Sequence, residues 1–315
     1  MPVSSAVGLG AGNVTSAKSA SFTPQIWEDD VISAAKTKLV ICALFRNIKF
    51  EGKGSSLVLP TGIRGVANQK LPGIQVNVQS ATEGQVTVLI NRHFEASRAI
   101  EDIVKIQALG SLRQFYTEDM GYQLQRRKEL DLATQSAFLN NGAGTLAFNA
   151  AFIGDGSTLY TSGAPNSSAM TDLGLRQLMK RMDQGDIPLD DRSLIVSAGS
   201  RFTLLGIPRF TEQAFVGEVG GMNRIRNGQV GDIYGVKVAV SNNMPVATGG
   251  ARPNILAHRD ALVLAEQAGV RVQTQYKLEF LADLIVADTL YGVSPRQFGQ
   301  NVDIPSAGFV MMTPD

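Results

Sequence analysis

Three stretches decide the fold: GSSLVLPTG at residues 54–62, EGQVTVLINRHFEASRAIEDI at 83–103 and SLRQFYTEDMGYQLQRRKELDLATQSAFLNN at 111–141. The first two read as the legs of a long β-arm. The third reads as one unbroken helix, from Ser111 to Asn140. Length is what sets them apart. A globular chain of this size is roughly 50 Å across. One leg of the arm, from Leu44 to about Gly62, extends to roughly 60 Å at strand rise. The helix is about 45 Å long at helical rise. Each spans the whole molecule, so each is a candidate for a surface that another chain completes.

The pattern within the arm supports this. GIQVNVQ (73–79) and GQVTVLINR (84–92) alternate with period two, placing Ile74, Val76 and Val78 on one face, then Val86, Val88 and Ile90. Pro60, Gly62, Gly65, Pro72 and Gly73 make the region between the legs irregular. No helix in the arm covers its edges, and an uncovered strand edge associates unless a partner occupies it. LVICALF at 39–45 reads as β. EASRAIEDIVKIQA (95–108) reads as an amphipathic helix, with Ile100, Ile103 and Val104 on one side.

The long helix has an unusual face. At 100° per residue, Leu112, Phe115, Tyr116, Met120, Leu130, Ala133, Ala137 and Phe138 share one broad side. Asp119, Gln123, Arg126 and Arg127 sit in the middle of that side. Burying four polar groups in an apolar core is costly. The expectation is that both helix ends pack inside the subunit and the middle meets solvent or a charged partner. Asn141-Gly142 stops the helix.

Outside these stretches, residues 1 to about 23 read as a small, polar, flexible arm. Thr23-Pro24 opens a short helix with Glu28, Asp29 and Asp30 near its positive end, anchored by Trp27. Residues 142–168 are a loop. Asp172 to Gln184 is a helix with Leu175, Leu178, Met179 and Met182 on one face, ended by Gly185. RSLIVSA is a strand leading into a helix at SRFTLLG. Residues 209–232 are glycine-rich, and strands return from Tyr234 onward.

Composition narrows the function. The chain has 315 residues, 44% hydrophobic and 18% charged, with a net charge of +1. That supports a real core and gives no basic stripe of the kind a dedicated DNA binder shows. The single cysteine, Cys42, lies in an apolar run and reads as a small buried hydrophobe. Its count excludes a disulfide scaffold and a cysteine zinc site within one chain. His93 and His258 are the only histidines, so a paired-histidine metal site is not expected. The N-terminus lacks a signal peptide's basic and apolar regions, and no apolar run of about 18 residues exists. A soluble protein is expected.

Enzymatic motifs fail on context. GLGAG at Gly8 to Gly12 has neither the strand before it nor the helix after it that a dinucleotide site needs. Gly154-Asp155-Gly156 and Gly220-Gly221 lack a following Lys-Ser/Thr. Asp29-Asp30 and Asp190-Asp191 are adjacent pairs at a helix start and a solvated turn. No Gly-x-Ser-x-Gly elbow is present. No catalytic residue, cofactor or metal is assigned.

The order of parts, read with the three opening stretches and with GDIYGVKVAVSNNMP (231–245), LAHRDALVLAEQ (256–267) and LADLIVADTLYG (281–292), resembles the major capsid (coat) protein of tailed bacteriophages, the Hong Kong 97-type fold. The resemblance spans nearly the whole chain and rests on architecture, with no single diagnostic motif. It implies an α+β fold: an N-terminal arm and short helix (1–38), an extended loop (39–94), a peripheral domain with the spine helix (95–165), an axial domain (166–253) and return strands of the peripheral domain (254–315). The glycine-rich segment becomes the axial domain's central loop.

The function implied is a structural subunit that self-assembles, as pentamers and hexamers, into an icosahedral virion shell around double-stranded DNA in the host cytoplasm. The partners implied are further copies of itself, a scaffolding protein, a portal, a decoration or cement protein and non-specifically held DNA, with no membrane. The loop starts near residue 40, which leaves no room for a fused scaffolding segment and implies a separate one. Inter-subunit contact candidates are Arg64, Lys70, Arg126, Arg127 and Glu129. Some members crosslink a loop lysine to an asparagine; Lys53, Lys70 and Asn301 are the residues available, and solvated lysines are the simpler expectation. The alternatives are an encapsulin-type nanocompartment shell and a soluble α/β enzyme.

Overall fold

The computed structural model describes residues 39–61, 67–76, 78, 84–107, 112–140, 148–163, 166–211, 232–296 and 307–315. The expected N-terminal arm, the Trp27 helix, Arg64, most of the glycine-rich segment and Asn301 lie outside the described residues. The first half of the chain runs α1 (Ile41–Leu44), β1 (Arg46–Lys49), β2 (Ser56–Thr61), β3 (Gly84–Leu89), β4 (Arg92–Glu101), α2 (Asp102–Gln107) and α3 (Leu112–Gln135), which closes in a tight turn at Ser136–Phe138. The second half runs β5 (Phe152–Ile153), α4 (Asp172–Gln184), β6 (Arg192–Val196), α5 (Ala198–Leu205), α6 (Pro208–Thr211), β7 (Lys237–Val240), β8 (Ala251–His258), β9 (Leu262–Lys277), β10 (Ala282–Pro295) and β11 (Gly308–Pro314).

Three sheets organise these elements. The first has the order β1-β9-β10-β4, and α3 lies against it through Met120 and Leu124 on Ile100, Ile285 and Ala287. The second has the order β5-β11-β8-β6-β7. One of its faces packs on α4 and α5 through Leu175, Leu178, Met182 and Leu204. Its other face shares a core with α1 and the end of α3, through Ile41, Phe45, Leu132 and Ala137. Each fully buried Leu, Ile, Phe or Met among these contributes about 1.5–3 kcal/mol relative to exposure. The third sheet is the β2–β3 hairpin alone.

Helix α4 forms as its pattern predicts. Thr171 caps it by accepting from Gly174 N at 3.0 Å, the apolar side is buried, and Gly185 ends it. Three expectations are corrected. EASRAIE is strand, because β4 pairs with β10 in continuous register from Arg92↔Tyr291 to Glu101↔Ala282, and helix begins only at Asp102. LVICALF is not a strand; Ile41–Leu44 makes one helical turn against α3. Leu71 to Val76 is not paired as a strand. The expected division at 253/254 also cuts through β8, and β11 returns to the sheet that holds β6 and β7. Both strands bind the expected axial region to the expected return region.

Candidate assembly surface

The extended hairpin is rooted on β9. β1 pairs in parallel with β9 from Arg46↔Val263 to Lys49↔Glu266, and Phe50 N donates to Glu266 O at 2.8 Å. The chain then turns away, and Gln267 Nε2 donates to the carbonyls of Gly52 (2.9 Å) and Gly54 (3.2 Å). β2 and β3 pair antiparallel from Ser56↔Leu89 to Thr61↔Gly84. Leu57, Leu59 and Val88 seat this root on Val263, Ala265 and Ile48. Gly292 on β10 permits the approach: a Cβ there would stand 2.2 Å from Leu89 O.

Past the root, the arm has nothing beneath it among the described residues. Val58, Leu71 and Ile74 are exposed, as are Val76 at 65% and Val78 at 87%. Apolar side chains scattered singly on a surface are ordinary, but a run of them on one projecting loop marks a contact surface. Lys70 is engaged within its own loop. Its ammonium donates to Leu71 O at 2.8 Å and also to Ile74 O, fixing the turn at Pro72-Gly73.

The middle of α3 differs from expectation in one respect. Glu129 is a correction: it is 1% exposed and wholly engaged inside the chain. Its Oε1 accepts from Ile41 N at 2.7 Å and Cys42 N at 3.4 Å, and its Oε2 accepts from Asn243 Nδ2 at 3.0 Å. A carboxylate placed this way satisfies the first amides of α1, whose N-cap Val40 supplies no side-chain acceptor. It is therefore a clamp within the subunit and presents nothing to a neighbour. Its neighbours in sequence, not singled out from the pattern, belong to the same ionic band. Lys128 is fully buried, pairs with Glu266 and lies 5.6 Å from the centre of the Tyr291 ring. Asp131 accepts from Tyr291 Oη (2.7 Å), Arg92 (2.7 Å) and Arg127 (3.2 Å). Burial and the Asp131 carboxylate push the Tyr291 hydroxyl well above its ordinary value.

Arg126 and Arg127 remain at the surface. Arg126 Nε donates to Asn243 Oδ1 at 3.2 Å, and the Arg127 guanidinium lies 4.7 Å above the Phe94 ring. The run of charges at 126–131 in the sequence could have signalled this band, since buried charges come in pairs. What it could not signal was which distant residues would supply the partners.

Both histidines and the cysteine are engaged within the chain. His93 Nε2 lies 3.1 Å from Asp288, which also takes two hydrogen bonds from Arg271 at 2.7 Å each. Those bonds, then His93, hold the Asp288 carboxyl down at about 2 against an opposing contribution from burial. His258 Nδ1 accepts from Asp260 N at the end of β8. Cys42 packs beside the main core, and burial pushes its thiol up to about 12, with Glu129 adding to the rise. A thiol so raised is not a nucleophile at neutral pH. No helix among the described residues is long and apolar enough to cross a membrane.

No family model matches the chain, and no curated protein sequence matches it. Solved structures do. The capsid structure of the cyanophage P-SCSP1u superposes with a TM-score of 0.72 and 17% identity, over 98% of this chain and 98% of the other. A chain of Mycobacterium phage Che8 gives 0.70 and 19%, over 92% of this chain and 97% of the other. The mature capsid of bacteriophage PhiM1 gives 0.69 and 15%, over 92% of each. This chain has the Hong Kong 97-type capsid fold. In the Hong Kong 97-type fold, α3 is the spine helix and the β2–β3 hairpin is the extended loop.

Proposed function

We propose that this chain is the major capsid subunit of a tailed bacteriophage, assembling with copies of itself into an icosahedral shell that encloses double-stranded DNA. The observation that carries this reading is the extended loop: a rooted hairpin of the capsid fold whose apolar residues beyond the root are uncovered among the described residues. Residues 39–94 are the loop laid over a neighbour. Residues 166–253, together with β8 and β11, form the axial unit around ring centres, and the sheet of β1, β9, β10 and β4 with α3 forms the peripheral unit. Ring contacts are heterologous, so each subunit presents two different surfaces. Many modest contacts add to a stable shell through multivalency, while single contacts stay weak enough for errors to dissociate. A net charge of +1 limits repulsion among copies. Exposed N–H groups of Arg126 and Arg127 are available to a neighbour or to the shell interior, as is Lys70 once its loop docks. A scaffolding protein, a portal and a decoration protein complete the partner set.

The test is electron microscopy of the concentrated protein, with and without a co-expressed scaffolding protein, followed by nuclease treatment of purified particles from infected cells. Uniform icosahedral shells that protect double-stranded DNA are expected. Shells that instead protect a cargo enzyme would mean a nanocompartment, and a protein that stays monomeric under all these conditions would overturn the shell reading.

A further inference from the structure

Tyr234 stands in a backbone conformation that its residue type rarely takes. Ile233 and Val236 exchange two backbone hydrogen bonds, at 3.0 and 2.9 Å, around a two-residue turn. Tyr234 has φ 51° and Gly235 has φ 78°. A turn with both central φ values positive is type I′, and its first position favours Asn, Asp or Gly. Glycine fills the second position here, but the first carries a large aromatic side chain against that preference. Burial does not account for the choice. Ile233 and Val236 already seat the turn in the core shared with α4, at 3% and 4% exposure, while Tyr234 stays 46% exposed.

What Tyr234 adds is a tie between three places in the chain. Its ring lies edge-on to Phe210, with 5.8 Å between centres and 82° between planes. Its hydroxyl donates to Asp172 Oδ1 at 2.5 Å. Asp172 Oδ2 pairs with Arg176 at 2.9 Å, so the acceptor is itself held on the first turn of α4. Phe210 lies in α6, and Tyr234 comes just before β7. The two rings therefore bracket the glycine-rich stretch, whose residues 212–231 lie outside the described residues. Gly217, Gly220, Gly221, Gly228 and Gly231 fall in that stretch. Glycine loses the most conformational freedom on ordering. Fixing both ends in advance lowers the cost of ordering such a stretch in a contact.

We propose that Phe210, Tyr234 and Asp172 form a positioning clasp for ring assembly, fixing both ends of residues 211–233 on the first turn of α4, so that contacts made by this stretch with a neighbouring copy start from a set base. The inference rests on the shell reading of the axial unit and adds the residues that set the base. A disfavoured φ at a non-glycine residue persists only where surrounding contacts determine it. Here those contacts are the ring of Phe210 and the carboxylate of Asp172, and both belong to the clasp.

Tyr234→Asn separates this role from plain stability. Asn suits the first position of a type I′ turn, so the turn is kept while the ring contact and the hydroxyl bond are lost. The unassembled subunit is expected to keep or raise its melting temperature. Under conditions in which the wild type forms shells, the yield of shells by sedimentation and electron microscopy is expected to fall about ten-fold. Tyr234→Phe keeps the ring contact and loses only the hydroxyl, and its yield is expected to fall between the two. Wild-type yield from a folded Tyr234→Asn subunit would overturn the inference and leave the shell reading intact. A yield that falls only in step with the melting temperature would also overturn it, by making the clasp an ordinary stabilising contact. If Tyr234→Asn does not fold, Tyr234→Phe decides: a lowered yield at unchanged melting temperature supports the clasp, and an unchanged yield overturns it. A wild type that never forms particles would overturn the shell reading and this inference with it.

Discussion

Glu129 Oε1 accepts a hydrogen bond from Ile41 N at 2.7 Å, so a carboxylate in the middle of the spine helix caps a helical turn that begins 88 residues earlier. The same side chain holds Asn243 from the segment after β7. One acidic residue thereby ties the entry to the extended loop, the long helix and the second sheet together.

Replacing Glu129 with Ala removes the acceptor of the buried Ile41 amide, the part-buried Cys42 amide and the buried Asn243 donor. The expected loss is about 2–4 kcal/mol. Chemical denaturation of the unassembled subunit measures it. A loss under about 0.5 kcal/mol, the usual range for a surface change, would show that the clamp carries no stability.

Lys128 and Glu266 are a second test of the ionic band. Lys128 is buried, while the Glu266 side chain keeps 24% of its exposure, so the pair is only partly desolvated. Lys128→Met alone removes the partner of Glu266, and Lys128→Met with Glu266→Gln removes both charges. The double variant is expected to recover part of the single variant's loss, with a coupling of about 1–3 kcal/mol in a double-mutant cycle. Strict additivity would refute direct pairing.

Gly292 sets the seat of the extended hairpin. In Gly292→Ala the new methyl would stand 2.2 Å from Leu89 O, a backbone atom. The root must shift, at a cost of about 1–3 kcal/mol. Limited proteolysis is expected to cut the hairpin faster than in the wild type, while α4 and its sheet keep their protection. Identical cleavage rates would mean the root tolerates the methyl.

The Asp288 carboxyl, at about 2, lies below the ordinary aspartate value of about 3.9. A carboxyl depressed in the folded state contributes stability above its unfolded value and loses it as pH falls through its folded value. That contribution is therefore intact above about pH 4 and gone near about pH 2. Asp288→Asn is expected to lower the melting temperature at neutral pH and to match the wild type near about pH 2. A melting difference that persists unchanged at about pH 2 would assign the loss to packing.

Much of the fold was legible because apolar spacing is local information. The helix at Asp172–Gln184 carries its own cap, apolar face and terminating glycine, and β9 and β10 announce themselves by β-rich alternation. The misreadings share one cause. EASRAIE has helical spacing, but ten residues of β10 lie in register beside it and decide for strand. LVICALF is β-rich, but Glu129 offers its first amides an acceptor. Glu129 reads from the sequence as a contact candidate, but Ile41, Cys42 and Asn243 from distant parts of the chain meet it inside the subunit. At the assembly surface, Ile74, Val76 and Val78 alternate with polar residues as a strand does, yet among the described residues they lie outside any strand.

By itself the sequence determined that the chain is α+β and where its strongly periodic elements, such as the helix at Asp172–Gln184, lie. Period and length are properties of consecutive residues, so they need no partner to be read. Only the tertiary structure decided which polar groups are buried and where the loop is rooted. Those depend on residues far apart in the chain, and pairing energies between them outweigh local propensity.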